Sequence, residues 1–338
     1  MSIRRSSIVL ASLVFLLVVS TPVGASSKST YVALGDSYSS GAGLGPFLAG
    51  PAGCSRSPEG YPALVSDTTP MRLDFVACAG ATTAQISAQV VSARTALRRA
   101  GLVTVTAGGN DLSFSNLLVS CVGGVSSPTS SIVQYLSYAS GPAACTAAVA
   151  AAAGLLGAKF NSVTGTLTTP RAMTSVNQSR QSPLERRLGA LVHSILVASA
   201  AGNAGAGAHV VVVDYPVLLS KVTAPICLVG PSPLQLTSAP GVYPAFSAVA
   251  AKELAAINGI LRREIETVVG RIRHRTARVV VANAATFQPI NCTTGTSPDL
   301  NGLSVSSLES GGSFHPTASG QAVLAESVRV ALRRWSSR

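Results

Sequence analysis

Five short apolar runs, each broken by a glycine or a polar turn, set the rhythm of this chain. They lie at 31–34, at the start of "RLDFVACAGATT" (72–83), in "LVTVTAGGND" (102–111), in "HVVVVDYP" (209–216) and in "ARVVVANA" (277–284). Between and after them, apolar residues recur at helical spacing, over 84–101 (closed by Gly101 as a C-cap), 183–201, about 247–270 and 317–334. Strands that alternate with helices in this way predict an α/β fold with a parallel sheet covered on both faces. In such sheets ligands bind at the carboxyl ends of the strands. Ser37, Gly80 and Asn110 each follow a predicted strand directly, so the fold can bring them together across 30 to 70 residues of sequence.

The first 25 residues stand apart. Arg4 and Arg5, a 12-residue apolar run from Ile8 to Val19 and the small-residue end Val23, Gly24 and Ala25 read as a signal peptide cleaved near Ala25. The run is shorter than the roughly 20 residues a membrane span requires. The remainder, 26–338, is read as a single exported domain with a helical insertion at about 112–182. The six cysteines, Cys54, Cys78, Cys121, Cys145, Cys227 and Cys292, all lie in it. An even count in an exported chain indicates disulfides, and six cysteines allow about 15 pairings. Pairing of sequence neighbours is favoured because each bond then closes a local loop. No C-x-x-C occurs, and neither a metal nor a cofactor is expected.

The chain carries a formal charge of +12, and +10 once Arg4 and Arg5 are removed. With 47% hydrophobic and only 11% charged residues it is not a disordered composition. The basic cluster "RIRHRTAR" (271–278) is first a solvated helix end. The excess of arginine also suits an anionic lipid or envelope surface. Export and the lack of a binding motif argue against nucleic acid, and a monomer is expected.

"YVALGDSYSSGAG" (31–43) presents Ser37 at the tip of a strand-to-loop exit. A serine becomes a nucleophile only beside a base. Of four histidines, His193 falls within a helix, His209 starts a strand and His274 sits in the basic cluster. His315 lies in a Gly/Ser-rich loop with Pro316 opening the last helix. Gly80 and Asn110 are candidate donors to an oxyanion, through a backbone N–H and a side-chain amide. Asp36 and Asp111 flank the key residues and read as acceptors for turn N–H groups. "GAGLGP" (41–46) fails the dinucleotide spacing, and the absence of G-x-S-x-G disfavours the α/β-hydrolase fold.

Four ordered blocks, "ALGDSYSSG", "CAGATT", "AGGND" and "FHPTASGQ", resemble the SGNH (GDSL) hydrolase family over 31–321. The cysteine placement resembles its exported actinobacterial esterase and lipase branch, which carries three disulfides. That adds support to the pairs Cys54–Cys78, Cys121–Cys145 and Cys227–Cys292. The resemblance implies a flavodoxin-like, three-layer α/β/α fold with a five-stranded parallel sheet. It implies Ser37 as nucleophile, His315 as base, and an oxyanion hole from Ser37, Gly80 and Asn110.

One position departs from the family. The usual Asp three residues before the histidine is Gly312 here. A backbone carbonyl can hold the ring's Nδ1–H instead, with Gly312 favoured by position over Ser313. Glu309 is the nearest upstream acid, then Asp299. The expected activity is hydrolysis of a lipid or small ester, with phospholipid included, through an acyl-serine. The alternatives are deacetylation of a polysaccharide on the same fold, or an exported binding module without turnover. Pocket walls are expected from 44–62, 112–182 and 217–246.

Overall fold

The computed structural model describes residues 29–336 except 129–133, 136–140, 169–180, 202–206, 237–238, 274, 277 and 305–310. Segment 1–25, read from sequence as a signal peptide, His274 and Glu309 therefore lie outside the described residues. Strands β1 (Thr30–Gly35), β2 (Arg72–Phe75) and β3 (Ala100–Thr106) enter the central sheet from the first third of the chain. Helices α1 (Ser37–Ser40), α2 (Tyr61–Ser66), α3 (Thr83–Ser92) and α4 (Arg94–Leu97) connect them. Gly101 thus lies inside β3 and caps no helix, and the predicted 84–101 helix is two helices separated at Ala93. Pairing of Gly101's neighbours with β1 outweighs the local C-cap signal.

Past β3 the chain forms α5 (Phe114–Cys121), β4 (Gly123–Val125), β5 (Gln134–Tyr135) and α6 (Pro142–Leu155). A hairpin of β6 (Lys159–Asn161) and β7 (Thr166–Thr168) precedes α7 (Pro183–Ala200) and β8 (His209–Val213). The segment read as a Pro-rich loop at 217–246 is not all loop. It contains β9 (Ile226–Leu228), β10 (Leu234–Leu236) and most of β11 (Ala239–Ser247), and β11 pairs antiparallel with β4. That partner lies more than 100 residues upstream, out of reach of a local reading. The chain ends with α8 (Ala248–Arg273), β12 (Val279–Ala282) and the last helix, α9 (Ala318–Ser336).

The central sheet runs β12-β8-β3-β1-β2, and every pairing in it is parallel. Helices α2 and α9 cover one face. Helices α3, α4, α7 and α8 cover the other. The inner strands are buried on both sides, with Tyr31, Val32, Ala33, Leu34, Val103, Val210, Val211 and Val213 all fully inaccessible. This explains why they read as continuous apolar runs. The chain goes from β1 outward to β2, then crosses back to β3 on the other side of β1. The strand order reverses between β1 and β3, and that is where a crevice opens at the carboxyl ends.

Disulfides join Cys54 to Cys78, Cys121 to Cys145 and Cys227 to Cys292. The first ties the loop after α1 to the exit of β2, and the second ties α5 to α6. In the chain-entropy account, loops of this length contribute roughly 3–4 kcal/mol each.

The α7–α8 interface holds an uncompensated acid. Glu264 is 6% exposed, and its Oε2 has no hydrogen-bond partner among the described residues. Burial pushes its carboxyl up to about 8, against a hydrogen bond with Ser182; neighbouring Glu185 adds to the rise and Arg271 opposes it. The folded state thus keeps a proton that the unfolded chain releases near pH 4.5. The cost is absent below that pH and grows until about pH 8. Glu264→Gln is expected to raise Tm by roughly 5 °C at pH 8 and to leave it little changed at pH 4.5, in thermal melts across pH.

Candidate active site

Ser37 is the first residue of α1, immediately after β1. Asp36 caps that helix, its carboxylate accepting the Tyr38 N–H at 3.0 Å. An N–H at this position has no acceptor within the helix and is free to face a ligand. Gly35, just before, has φ +128, and a Cβ there would meet the Thr106 backbone at 2.7 Å. A buried amide braces the same residue: Gln89 accepts the Gly35 N–H and donates to its carbonyl, both at 2.9 Å.

Asn110 stands at the exit of β3, beside β1. Its Nδ2 donates to the Ala81 carbonyl at 3.1 Å, which orients the amide and leaves its second hydrogen unspent. That carbonyl belongs to the turn after β2, closed by Ala81 N–H to Cys78 O at 3.2 Å. Gly80 occupies its third position with φ +78, the conformation a type II turn demands of glycine. Next to Asn110, Asp111 accepts the backbone N–H and hydroxyl of Thr83 at 2.8 and 2.7 Å, and pairs with Arg187 at 3.3 Å. Asp111 therefore fastens the β3 exit to the start of α3, a longer reach than a local turn.

His315 sits before α9. Its Nδ1 lies 3.0 Å from the Ser313 carbonyl. A carbonyl only accepts, so Nδ1 carries the hydrogen and Nε2 presents its lone pair. Gly312, favoured from sequence, is not that partner. Its carbonyl accepts the backbone N–H of His315 at 2.9 Å, and the turn so formed leaves the Ser313 carbonyl beside the ring. Gly312 is buried where Gly43 crosses it: a Cβ on Gly43 would lie 2.6 Å from the Gly312 Cα. The other nearby acid, Asp299, is already engaged, accepting the Gln288 N–H at 2.9 Å and the Ser319 hydroxyl at 2.6 Å. Burial lowers the His315 pKa, and the Ser313 carbonyl partly opposes that.

The loop holding His315 is strained and clamped. Phe314 has φ +59, unusual for a bulky residue. Its N–H donates to Asn301 O at 2.9 Å, the Tyr38 hydroxyl donates to its carbonyl at 2.7 Å, and its ring stacks on Phe246 at 6.1 Å. The Tyr38 ring also packs 5.6 Å from the imidazole. Gln321 completes the clamp, donating to Tyr38 O at 3.2 Å and accepting the Tyr61 N–H at 2.8 Å.

Tyr215, two residues past β8, links two of these turns, and motif reading did not single it out. Its hydroxyl donates to Asp36 Oδ2 and accepts the Gly109 N–H at 2.9 Å. Burial raises the Asp36 carboxyl to about 7, against the hydrogen bonds from Tyr215 and the turn amides. The visible sequence signal was only a tyrosine at a strand end, "VVVVDYP".

Ser37, Asn110 and His315 line one cavity of about 220 Å³. Gly80 is not among its lining residues; it precedes Ala81, whose carbonyl takes the Asn110 amide. The walls are largely apolar, from Phe114 and Leu118 of α5, Leu218, Leu261 of α8, Leu303 and Phe314. Segment 44–62 contributes nothing to them, whereas α8 and Leu303, not expected from sequence, do. Of the other histidines, His193 is exposed on α7 and His209 packs 4.0 Å from Trp335 at the opposite end of the sheet. Among the described residues no cluster of His, Cys, Asp and Glu could hold a metal ion, and no helix is long and apolar enough to cross a membrane.

The sequence is 41% identical over 92 residues to a lipase of Streptomyces rimosus, a stretch covering 27% of this chain and 34% of that protein. It is 39% identical over 123 residues to lipase 1 of Streptomyces coelicolor, covering 35% and 44%. The matched parts thus span less than half the length of these relatives. The fold is similar to the crystal structures of phospholipase A1 from Streptomyces albidoflavus NA297 (TM-score 0.56) and of an extracellular lipase from Streptomyces rimosus (TM-score 0.55). Each is 23% identical, over 90% of this chain and 99% of that one. The profile of the GDSL-like Lipase/Acylhydrolase family matches residues 33–323, and the chain belongs to that family.

Proposed function

We propose that this protein is an exported carboxylic ester hydrolase that works through an acyl-serine on Ser37, with His315 as base and the Ser313 carbonyl in place of an acid. The observation that carries the reading is the placement of Ser37, Asn110 and a tautomer-locked His315 around a single apolar cavity. Ser37 Oγ attacks the ester carbonyl while His315 Nε2 takes its proton. The oxyanion accepts hydrogen bonds from the N–H groups of Ser37 and Gly80 and from the second hydrogen of Asn110 Nδ2. The imidazolium, held by Ser313 O, then protonates the departing alkoxide, and water reverses the sequence to free the acid. A neutral carbonyl stabilises imidazolium less than a carboxylate does, and the lowered pKa of His315 accords with that.

The apolar walls favour the acyl part of a lipid or small ester over a sugar, which weighs against the polysaccharide reading. Membership of an acylhydrolase family and the fold shared with a phospholipase A1 support lipid esters, phospholipid included. The segment at 1–25, three disulfides and the extracellular source of a structural neighbour support export.

Hydrolysis of p-nitrophenyl esters of graded chain length tests the reading. Ser37→Ala should lower turnover by about 10⁴-fold or more with the fold intact; equal turnover in the variant would leave the binding-module reading. Protonated His315 cannot act as base, so kcat/KM should rise with pH through an inflection below 6.5 and then level off. An acid limb near pH 7 would point to Asp36 instead. Tyr215→Phe strips Asp36 of a donor and the Gly109 N–H of its acceptor, each costing roughly 1–3 kcal/mol when buried. Steady-state kinetics should show kcat lower by about tenfold or more with KM little changed.

A further inference from the structure

Four large apolar side chains stand exposed on segments that line the cavity or are fastened beside it. Val119 lines it from α5 and is 45% exposed, and Val217 adjoins the lining residue Leu218. Phe47 and Leu48, each 46% exposed, sit side by side on the 43–54 loop, none of whose residues lines the cavity. Both ends of this loop are fastened beside the reaction centre. At one end Gly43 crosses Gly312, between the cavity-lining Gly311 and Ser313. At the other, Cys54 is bonded to Cys78, and its carbonyl accepts the Ala79 N–H at 3.0 Å, one residue before Gly80. Between them, Leu48 N–H donates to Arg56 O at 2.7 Å. The Arg56 guanidinium holds the carbonyls of Ala77 and Val76 at 2.8 and 3.1 Å.

The loop is therefore pinned with its two bulkiest side chains outward, and folding alone gives no reason to present them to water. From 43 to 54 it carries no charged residue, so entering an apolar phase desolvates no charge. Exposed apolar side chains on a loop fastened at both ends beside an apolar cavity are the arrangement expected of an interaction surface. The protein as a whole is strongly cationic, which draws it to anionic headgroups.

We propose that Phe47 and Leu48 are the point at which this protein docks on an anionic lipid surface, so that the mouth of the Ser37 cavity faces the lipid. The purpose of docking rests on the ester-hydrolase reading; the docking itself does not.

The test separates the two. In a Ser37→Ala background, which leaves vesicles intact, co-sedimentation with phosphatidylglycerol vesicles should exceed that with phosphatidylcholine. Adding Phe47→Ser and Leu48→Ser should reduce it by about tenfold or more. With Ser37 restored, the double variant should hydrolyse soluble p-nitrophenyl acetate at the parental rate. Equal vesicle binding with and without the two substitutions overturns the proposal, as does a parent that binds neither vesicle. Loss of acetate hydrolysis in the double variant also overturns it, because the loop would then be shaping the site. So does concentration-dependent self-association, removed by the same substitutions, in a parent that ignores vesicles. A parent that binds vesicles yet hydrolyses no ester refutes the enzyme reading and leaves the docking surface standing.

Discussion

A single buried carboxylate organises the carboxyl end of this sheet. Asp36 is 1% exposed, and a carboxylate there is tolerable only if its oxygens find donors. One donor is local, the Tyr38 N–H at the start of α1. The other is the Tyr215 hydroxyl, 179 residues away, which in turn takes the Gly109 N–H. Satisfying one acid therefore sets the Ser37 turn after β1, the Asn110 turn after β3 and the chain after β8 against one another. Burial raises this carboxyl to about 7, so the charge of the bridge beside Ser37 changes in the neutral range.

The same economy governs the histidine. With Gly at 312 and Asp299 occupied elsewhere, the ring takes the carbonyl of Ser313. The backbone there passes through a positive φ at Phe314 and is over-determined by Tyr38, Asn301 and Phe246. Strain of that kind persists only where surrounding contacts enforce it. Packing thus performs an orienting role that an acid three residues before the histidine performs in the usual family pattern.

Much of the fold was legible in sequence because the central strands are buried on both faces and read as unbroken Val-rich runs. The long helices α8 and α9 were also legible, from their 3.6-residue spacing. Gly101 misled because a C-cap signal is local, while β3 is held by a neighbour 70 residues away. Strands β9 to β11 were hidden for the same reason: short, Pro-rich segments become strands only when β4 pairs with β11 and β11 with β9 and β10. The motif residues Ser37, Gly80, Asn110 and His315 were visible as ordered blocks. Tyr215, Gln89 and Gln321 were not, since each acts through a pair of hydrogen bonds to groups distant in sequence.

By itself the sequence determined the α/β rhythm, the family and the residues able to do ester chemistry. These are properties of residue type and spacing, which survive without coordinates. The tertiary structure decided which carbonyl holds His315, how Asp36 is satisfied, which walls enclose the cavity and where the loop that carries Phe47 and Leu48 is fastened. Those outcomes depend on where a turn leaves a lone pair, or which distant element fills a gap. Hydrogen bonds and packing reward proximity in space, and spacing along the chain carries little information about it.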